Sequence, residues 1–159
     1  MPTSRRFRTI LTARLILEYR EHILYLAQTP ANGGGYTLPG GKIEGEEFAK
    51  EALVREILEE VGIAVPKKSL KLALVVYKRL HSTTEIIFFF KSKKWEGELG
   101  VKETHKFLKT EWHPIDEPPK RLPAVIKAAF VAIGKEKIYM EYPSSKPKAV
   151  KNKPKKKAK

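Results

Sequence analysis

The chain contains no cysteine, which excludes disulfide bonds and thiolate metal sites. It also lacks a hydrophobic run near the roughly 20 residues that a membrane-spanning helix needs, and we expect no signal peptide. The absence of cysteine fits a reducing compartment, so we predict a cytoplasmic protein with no membrane insertion. At 159 residues, the chain is long enough for one domain with a sizeable core.

Acidic residues are scarce and unevenly placed. The chain has 18 Asp and Glu residues against 32 Lys and Arg residues, for a net charge of +14. Residues 143–159 hold eight lysines and three prolines but no acidic residue, and such a segment buries too little apolar surface to fold. We therefore predict a domain over residues 1–142 and a disordered tail over residues 143–159. A lysine tail favours weak contact with nucleic acid, although it can equally serve only for solubility.

The carboxylates that do occur crowd into residues 41–63. Glu56, Glu59 and Glu60 stand at i, i+3 and i+4, so a helix places them on one face. Like charges this close destabilise a helix and raise one another's pKa unless cations lie among them. A hard divalent metal site satisfies this requirement, and such ions usually act on phosphates. The alternative is a solvated acidic face.

The apolar residues of the same segment also predict a helix. Val54, Ile57, Leu58 and Val61 recur at helical spacing. This stripe is expected to pack on a core roughly opposite the three carboxylates, which would then face a cleft. Gly62 is well placed to end the helix, because glycine tolerates the left-handed conformation of a C-terminal cap.

The segment resembles the Nudix box, the signature of the Nudix hydrolases, and fills all of its specified positions. These positions are Gly41, Glu47, Arg55, Glu56, Ile57, Glu59, Glu60, Gly62 and Ile63. The preceding Leu38-Pro39-Gly40 is similar to the usual lead-in of the family. The resemblance implies an α/β (α+β) fold, with a mixed sheet in an α/β/α sandwich. It also implies hydrolysis of a nucleoside diphosphate linked to another group, with Mg²⁺ or Mn²⁺ as cofactor.

The resemblance assigns roles at the matching positions. It implies that Glu56, Glu59, Glu60 and the carbonyl of Gly41 bind the metal. It implies that Arg55 acts in catalysis beside Glu59 and Glu60, by orienting the carboxylates through charge-assisted hydrogen bonds.

Three further residues of the segment have expected roles. Glu47 is predicted to give structural support, through a pairing with Arg55 or with the helix start, where negative charge is favoured. Lys42 and Gly40 are predicted substrate contacts. A solvated lysine in an exposed turn is the alternative for Lys42.

A general base need not lie in the box. The stretch Trp95-Glu96-Gly97-Glu98, followed by Lys102-Glu103, is similar to a loop of the MutT-like branch that carries a catalytic glutamate. Glu103 is therefore our first candidate for the base or an extra metal ligand, ahead of Glu98 and Glu111. The alternative is that Glu103 is a solvated loop carboxylate.

The remaining pattern predicts mixed α and β structure. Expected strands cover 9–19, 22–27, 70–78, 84–93, 111–115 and 137–142, with a helix over 123–133 and a glycine-rich loop over 29–36. The first two strands and the pair 70–78 and 84–93 are expected to form hairpins.

The substrate is the least determined feature. The resemblance to the MutT-like group implies a (d)NTP pyrophosphohydrolase that releases NMP and pyrophosphate. The asparagine by which the prototype of that group reads 8-oxoguanine has no evident equivalent, since the only asparagines are Asn32 and Asn152. Alternatives are hydrolysis of a nucleotide sugar, a dinucleoside polyphosphate or an RNA 5′ end. A nucleic-acid-binding or regulatory module on a Nudix scaffold is an alternative of another class.

Overall fold

A computed structural model describes residues 8–143, which form eight strands and two α-helices. The strands are β1 (Arg8–Tyr19), β2 (His22–Gln28), β3 (Tyr36–Thr37), β4 (Gly40–Lys42), β5 (Lys71–Arg79), β6 (Thr83–Ser92), β7 (Phe107–Pro114) and β8 (Tyr139–Pro143). The helices are α1 (Ala49–Val61) and α2 (Ala124–Gly134), and two short 3-10 turns lie at Pro30–Asn32 and Lys67–Ser69.

The sheet is mixed, as predicted. Its main strand order is β3-β2-β1-β6-β5-β8, with β4 added to β1 and β7 added to β2. Strand β1 runs parallel to β6, and β5 runs parallel to β8, whereas the other pairs are antiparallel. Strand β1 is the longest at 12 residues and pairs with β2, β4 and β6. It therefore connects the turn before α1 to the central sheet.

Two hydrophobic clusters lie on opposite sides of the sheet. Leu53 and Ile57 of α1 belong to one cluster, and Ile126 and Ala129 of α2 belong to the other. Each helix thus covers its own face, which confirms the predicted α/β/α sandwich.

Most predicted elements are present, with shifted ends. Both predicted hairpins form. Strand β7 begins at Phe107, four residues before the predicted start at Glu111. The short strands β3 and β4 were not predicted, because the glycines around them indicate turns.

The buried face of α1 differs from the predicted stripe. Leu58 is 55% exposed, whereas Leu53 is fully buried. Glu60 is only 3% exposed and shares the buried face instead of lying opposite to it. The prediction was wrong here because a helix-period count treats every carboxylate as polar, whereas Glu60 has specific partners inside the protein.

No helix within residues 8–143 is long and apolar enough to cross a membrane. The predicted lysine tail lies outside the described residues from position 144 onwards.

Candidate active site

A tight turn before α1 holds the end of that helix against the sheet. Strand β4 pairs with β1, which brings Gly40 opposite Arg14. The amide of Gly40 donates to Oε2 of Glu60 over 2.8 Å. The guanidinium of Arg14 donates to the carbonyl of Leu38 over 3.2 Å and to that of Gly40 over 2.8 Å. Sheet, turn and helix are therefore joined by polar contacts.

Two carboxylates of α1 lie at this turn, of which Glu60 is buried and Glu56 is partly buried. Burial raises the pKa of Glu60 to about 8, and the charges of Glu56 and Glu103 add to the increase. The amide of Gly40 and the charge of Arg14 act against it. Burial also raises the pKa of Glu56, which Arg55 opposes through a hydrogen bond. Burial thus makes ionisation of both carboxylates less favourable in the folded protein than in water.

Arg55 connects the predicted acidic trio to Glu47. Its Nε and Nη2 atoms donate to the two oxygens of Glu47 over 2.6 and 3.0 Å. Its Nη1 atom lies 3.2 Å from both Glu56 Oε1 and Glu59 Oε2. Glu47 precedes the helix, and its hydrogen bonds with Arg55 lower its pKa to about 2. The pairing of Glu47 with Arg55 expected from the sequence is thus present in the structure.

Replacing Glu47 with glutamine should lower activity without unfolding the protein. The substitution removes the charge that fixes Arg55, and loss of such a supporting contact typically costs about 10-fold or more in activity. Steady-state hydrolysis rates and thermal unfolding near neutral pH measure the two effects. Glu46→Gln, at an exposed neighbouring position, is the matched control. Full activity in the Glu47 variant would contradict a positioning role.

Glu103 lies close enough to Glu60 for its charge to raise the pKa of that residue. Its Oε1 atom accepts a hydrogen bond from Lys106 Nζ over 3.1 Å. Its Oε2 atom is buried and has no hydrogen-bond partner among the described residues. A buried carboxylate oxygen without a partner is costly, so it marks a position that suits a cation or a proton donor. Glu98 is exposed, and Glu111 contacts Tyr36, Lys109 and His113 instead.

A cavity of about 490 Å³ lies beside these groups. It contains both acidic and basic side chains, as a site for a metal-bound phosphate requires. Its lining comprises Thr12, Arg14, Gln28, Asn32, Thr37, Gly40, Gly41, Lys42, Glu44, Glu56, Glu60, Glu85, Lys106 and Phe107. The structure thus brings Gly40, Gly41, Lys42, Glu56 and Glu60 together, whereas Glu59 and Glu103 are not part of this lining.

Sequence reasoning missed several residues of the cavity. Arg14 is the clearest, since a single arginine stands within the otherwise apolar centre of β1. Glu85 accepts a hydrogen bond from Thr12 over 2.9 Å. The two residues meet only because their strands pair, which no local sequence pattern indicates. Gln28 directly precedes the predicted glycine-rich loop and Asn32 lies within it, and the sequence assigned neither residue a function.

The residues present fit a divalent cation. Glu56 and Glu60 are carboxylates that burial disfavours as free anions, and Glu103 supplies the orphaned oxygen. Gly41 has no side chain where a Cβ atom would collide with the Glu56 carboxylate. Within residues 8–143, however, no three His, Cys, Asp or Glu side chains are grouped closely enough to enclose an ion. Glu59 is turned towards Arg55, and the predicted three-glutamate ligand set stays a prediction.

The fold and this site together define an α/β/α sandwich with a carboxylate-bearing helix beside a glycine turn. The sequence profile of the NUDIX domain matches residues 9–132. The chain therefore belongs to the Nudix family, and it is a MutT-like Nudix hydrolase, as its relatives also indicate. Members of this family generally need a divalent metal.

Two relatives and one solved structure illustrate the similarity. An 8-oxo-dGTP diphosphatase of Proteus vulgaris is 34% identical over 84 residues, which cover 50% of this chain and 72% of that protein. An 8-oxo-dGTP diphosphatase of Escherichia coli is 38% identical over 97 residues, or 56% of this chain and 70% of that protein. The crystal structure of a MutT Nudix hydrolase from Burkholderia pseudomallei aligns with a TM-score of 0.71 at 24% identity, over 78% of this chain and 97% of that one.

Proposed function

We propose that the protein hydrolyses a nucleoside or deoxynucleoside triphosphate to the monophosphate and pyrophosphate, with Mg²⁺ or Mn²⁺. The observation that carries the proposal is a pair of carboxylates, the buried Glu60 and the partly buried Glu56, at a cavity that also holds Arg14 and Lys106. The names of the relatives, which act on an oxidised purine nucleoside triphosphate, support the same substrate class.

Each proposed role follows from what a side chain touches. Glu56, Glu60 and the carbonyl of Gly41 are proposed to hold the metal, with Glu59 joining after release from Arg55. When bound, the metal supplies charge neutralisation at the phosphates and acidifies water. Arg55 orients Glu56 through one hydrogen bond, and its hydrogen bond to Glu59 is the contact that metal binding would replace.

Glu103 is proposed as the general base or an additional ligand. Its buried oxygen has no partner among the described residues, so it is available to accept a proton from an attacking water. Lys106 neutralises the other oxygen and keeps Glu103 in place.

The substrate contacts are proposed at the two walls of the cavity. Lys42 is exposed at the cavity and is positioned to offset the charge of a leaving phosphate. Gly40 contributes its backbone beside that position. The amides of Gln28 and Asn32 on the cavity wall offer donors and acceptors to a nucleobase. Asn32, which the sequence left without a role, thus becomes a candidate base contact.

The other proposals concern setting and partners. The absence of cysteine supports a cytoplasmic location. The eight lysines of residues 143–159 support a weak contact between the tail and nucleic acid.

A hydrolysis screen with product analysis tests the proposal. With Mg²⁺, the protein should convert at least one (d)NTP into NMP and pyrophosphate, and a chelator should abolish turnover. Glu56→Gln should lower the rate by about 100-fold or more, the scale for loss of a group that acts on transition-state charge. Glu117→Gln, an exposed substitution outside the cavity, should keep the wild-type rate.

Three results would contradict the proposal. The first is inactivity towards every nucleotide tested, and the second is release of orthophosphate instead of pyrophosphate. The third is faster turnover of a nucleotide sugar, a dinucleoside polyphosphate or a triphosphorylated RNA than of any (d)NTP, which would favour the corresponding alternative.

A further inference from the structure

A second cavity, of about 720 Å³, lies away from the carboxylates. Five of the residues that line it are lysines, namely Lys68, Lys71, Lys91, Lys93 and Lys94. Glu18 is the only acidic residue in that lining. We call this surface the lysine groove. Lysine side chains this close to one another repel, so the surface favours an anionic ligand.

Acidic side chains of residues 8–143 neutralise only part of the positive charge of the groove. Glu18 lies 3.8 Å from Lys91 and 3.5 Å from Lys93, so its single charge is shared between two lysines. Lys68, Lys71 and Lys94 are exposed and have no acidic partner within 4 Å among residues 8–143. The groove therefore carries a net positive charge that is open to solvent.

Buried hydrogen bonds hold the two lysine-bearing segments side by side. The hydroxyl of Ser92 is buried and lies 2.8 Å from the hydroxyl of Ser69. The same Ser92 oxygen accepts from the amide of Lys94 over 3.1 Å. These contacts tie the turn that carries Lys68 to the end of β6 that precedes Lys94. The lysines thus project from a fixed backbone.

Aromatic side chains continue the groove. An adjoining cavity of about 420 Å³ shares Lys93 and Lys94 with it and is also lined by Tyr19 and Trp95. Tyr19 is 44% exposed and packs edge-on against Trp95 at a centroid distance of 5.4 Å. The guanidinium of the exposed Arg20 lies over the Tyr19 ring, 5.0 Å from its centroid, so a stacking base would take the place of this side chain. A charged channel beside an exposed aromatic ring is the arrangement by which proteins bind single strands, because phosphates meet the lysines and a base stacks on the ring.

The lysine groove is separate from the candidate active site. Strands β1 and β6 run parallel, with Ile10 opposite Glu85 and Leu17 opposite Ser92. Ser92 at the groove lies seven positions along β6 from Glu85 at the catalytic cavity, which corresponds to about 23 Å. The two cavities have no lining residue in common.

We propose that the lysine groove and Tyr19 bind single-stranded nucleic acid at a site distinct from the hydrolytic centre. A concave lysine channel beside an aromatic ring fits a strand better than it fits a flat membrane surface. It also offers more contacts than one mononucleotide fills. This proposal does not depend on the hydrolytic activity.

The test is fluorescence anisotropy with labelled single strands of about 12 nucleotides, within the usual site size, using the full chain. Separate titrations with RNA and with DNA show which of the two nucleic acids is bound more tightly. The variant Lys68→Gln/Lys71→Gln/Lys94→Gln should bind about 10-fold or more weakly, and its salt slope should fall by about 2, since single strands lose about 0.7 per contact. Tyr19→Ala should weaken binding by roughly 10-fold, with thermal unfolding measured to confirm that it folds.

The matched control removes three positive charges elsewhere. The control residues, all exposed near or on α2, are Lys120, Lys127 and Lys135. The triple glutamine variant at these positions should keep the wild-type affinity within about 3-fold. A change of that size is smaller than the effect of losing one phosphate contact at moderate salt. Both triple variants retain the tail and should hydrolyse nucleotide at the wild-type rate. Equal loss in both triples would overturn the proposal. Equally effective competition by a mononucleotide, or binding only to vesicles of anionic lipid, would also overturn it.

Discussion

Replacing Glu60 with glutamine should abolish hydrolysis and at the same time stabilise the metal-free protein. Glutamine has the same shape and keeps an oxygen that accepts the amide of Gly40, so the turn is retained. The negative charge proposed to hold the metal is lost, and we expect the rate to fall by at least about 100-fold.

The stability gain has a defined pH window. Glu60 has a pKa of about 8 in the folded protein, against 4.5 for an unperturbed side chain. Between these values the unfolded chain releases the proton while the folded protein keeps it, so the free energy of unfolding falls as the pH rises. Glutamine has no proton to release in this pH range, so the free energy of unfolding of the variant should not fall for this reason. At a pH near 8 it should be more stable than wild type by a few kcal/mol at most, or about 5–10 °C in Tm.

Thermal unfolding in chelator-treated buffer across this pH window measures the effect. Below the unperturbed pKa of 4.5, the two proteins should unfold alike, and Glu117→Gln should track wild type at every pH. If wild type instead gained stability relative to the Glu60 variant as the pH rose, the burial argument would fail. Full activity of the variant would remove Glu60 from the catalytic centre.

Adding one methyl group should lower stability at Gly40 but activity at Gly41. Gly40 has a φ of +132°, and a Cβ atom there would collide with the backbone carbonyl of Ala13. Because the obstacle is backbone in a paired strand, Gly40→Ala should cost about 3 kcal/mol or more, or roughly 10 °C in Tm. At Gly41 the obstacle is only the end of the Glu56 side chain. Gly41→Ala should therefore fold with nearly normal stability but displace that carboxylate.

A carboxylate moved by about 1 Å can cost 100-fold in rate, so Gly41→Ala should be a stable but nearly inactive protein. Thermal unfolding and steady-state kinetics separate the two outcomes. Gly45→Ala is a useful control, because its Cβ atom meets no other atom within 4 Å and only its φ of +54° opposes the change. A Gly40 variant as stable as wild type, or a fully active Gly41 variant, would refute the geometry on which the site depends.

The sequence predicted the class of fold and the segment of the site, because both depend on local patterns. The apolar run of β1 and the helical spacing in α1 are properties of neighbouring positions. Gly62 ends the helix as expected, with a φ of 73°. What the sequence did not predict depends on contacts between distant residues. Arg14 reaches the turn only through the pairing of β1 with β4, and Lys106 reaches Glu103 from within a loop.

The burial of Glu60 illustrates the same limit. By helical position, Glu60 and Glu59 are both acidic residues of one face, and the sequence assigns them the same role. In the structure, Glu60 is buried and receives the amide of Gly40, whereas Glu59 is exposed and contacts Arg55. Only the three-dimensional turn separates them, since it places a backbone donor next to one carboxylate and not next to the other.

The cavity draws its two walls from different parts of the chain. The carboxylates and the glycine turn come from residues 40–60, while Gln28 and Asn32 come from the end of β2 and the loop after it. The amide of Gln28 donates to the carbonyl of Asn32, so these two residues are organised independently of α1. Under the proposed base contacts of Gln28 and Asn32, substitutions in that loop should change which base is accepted without altering the carboxylates. New nucleotide preferences can evolve on this scaffold while its reaction is conserved.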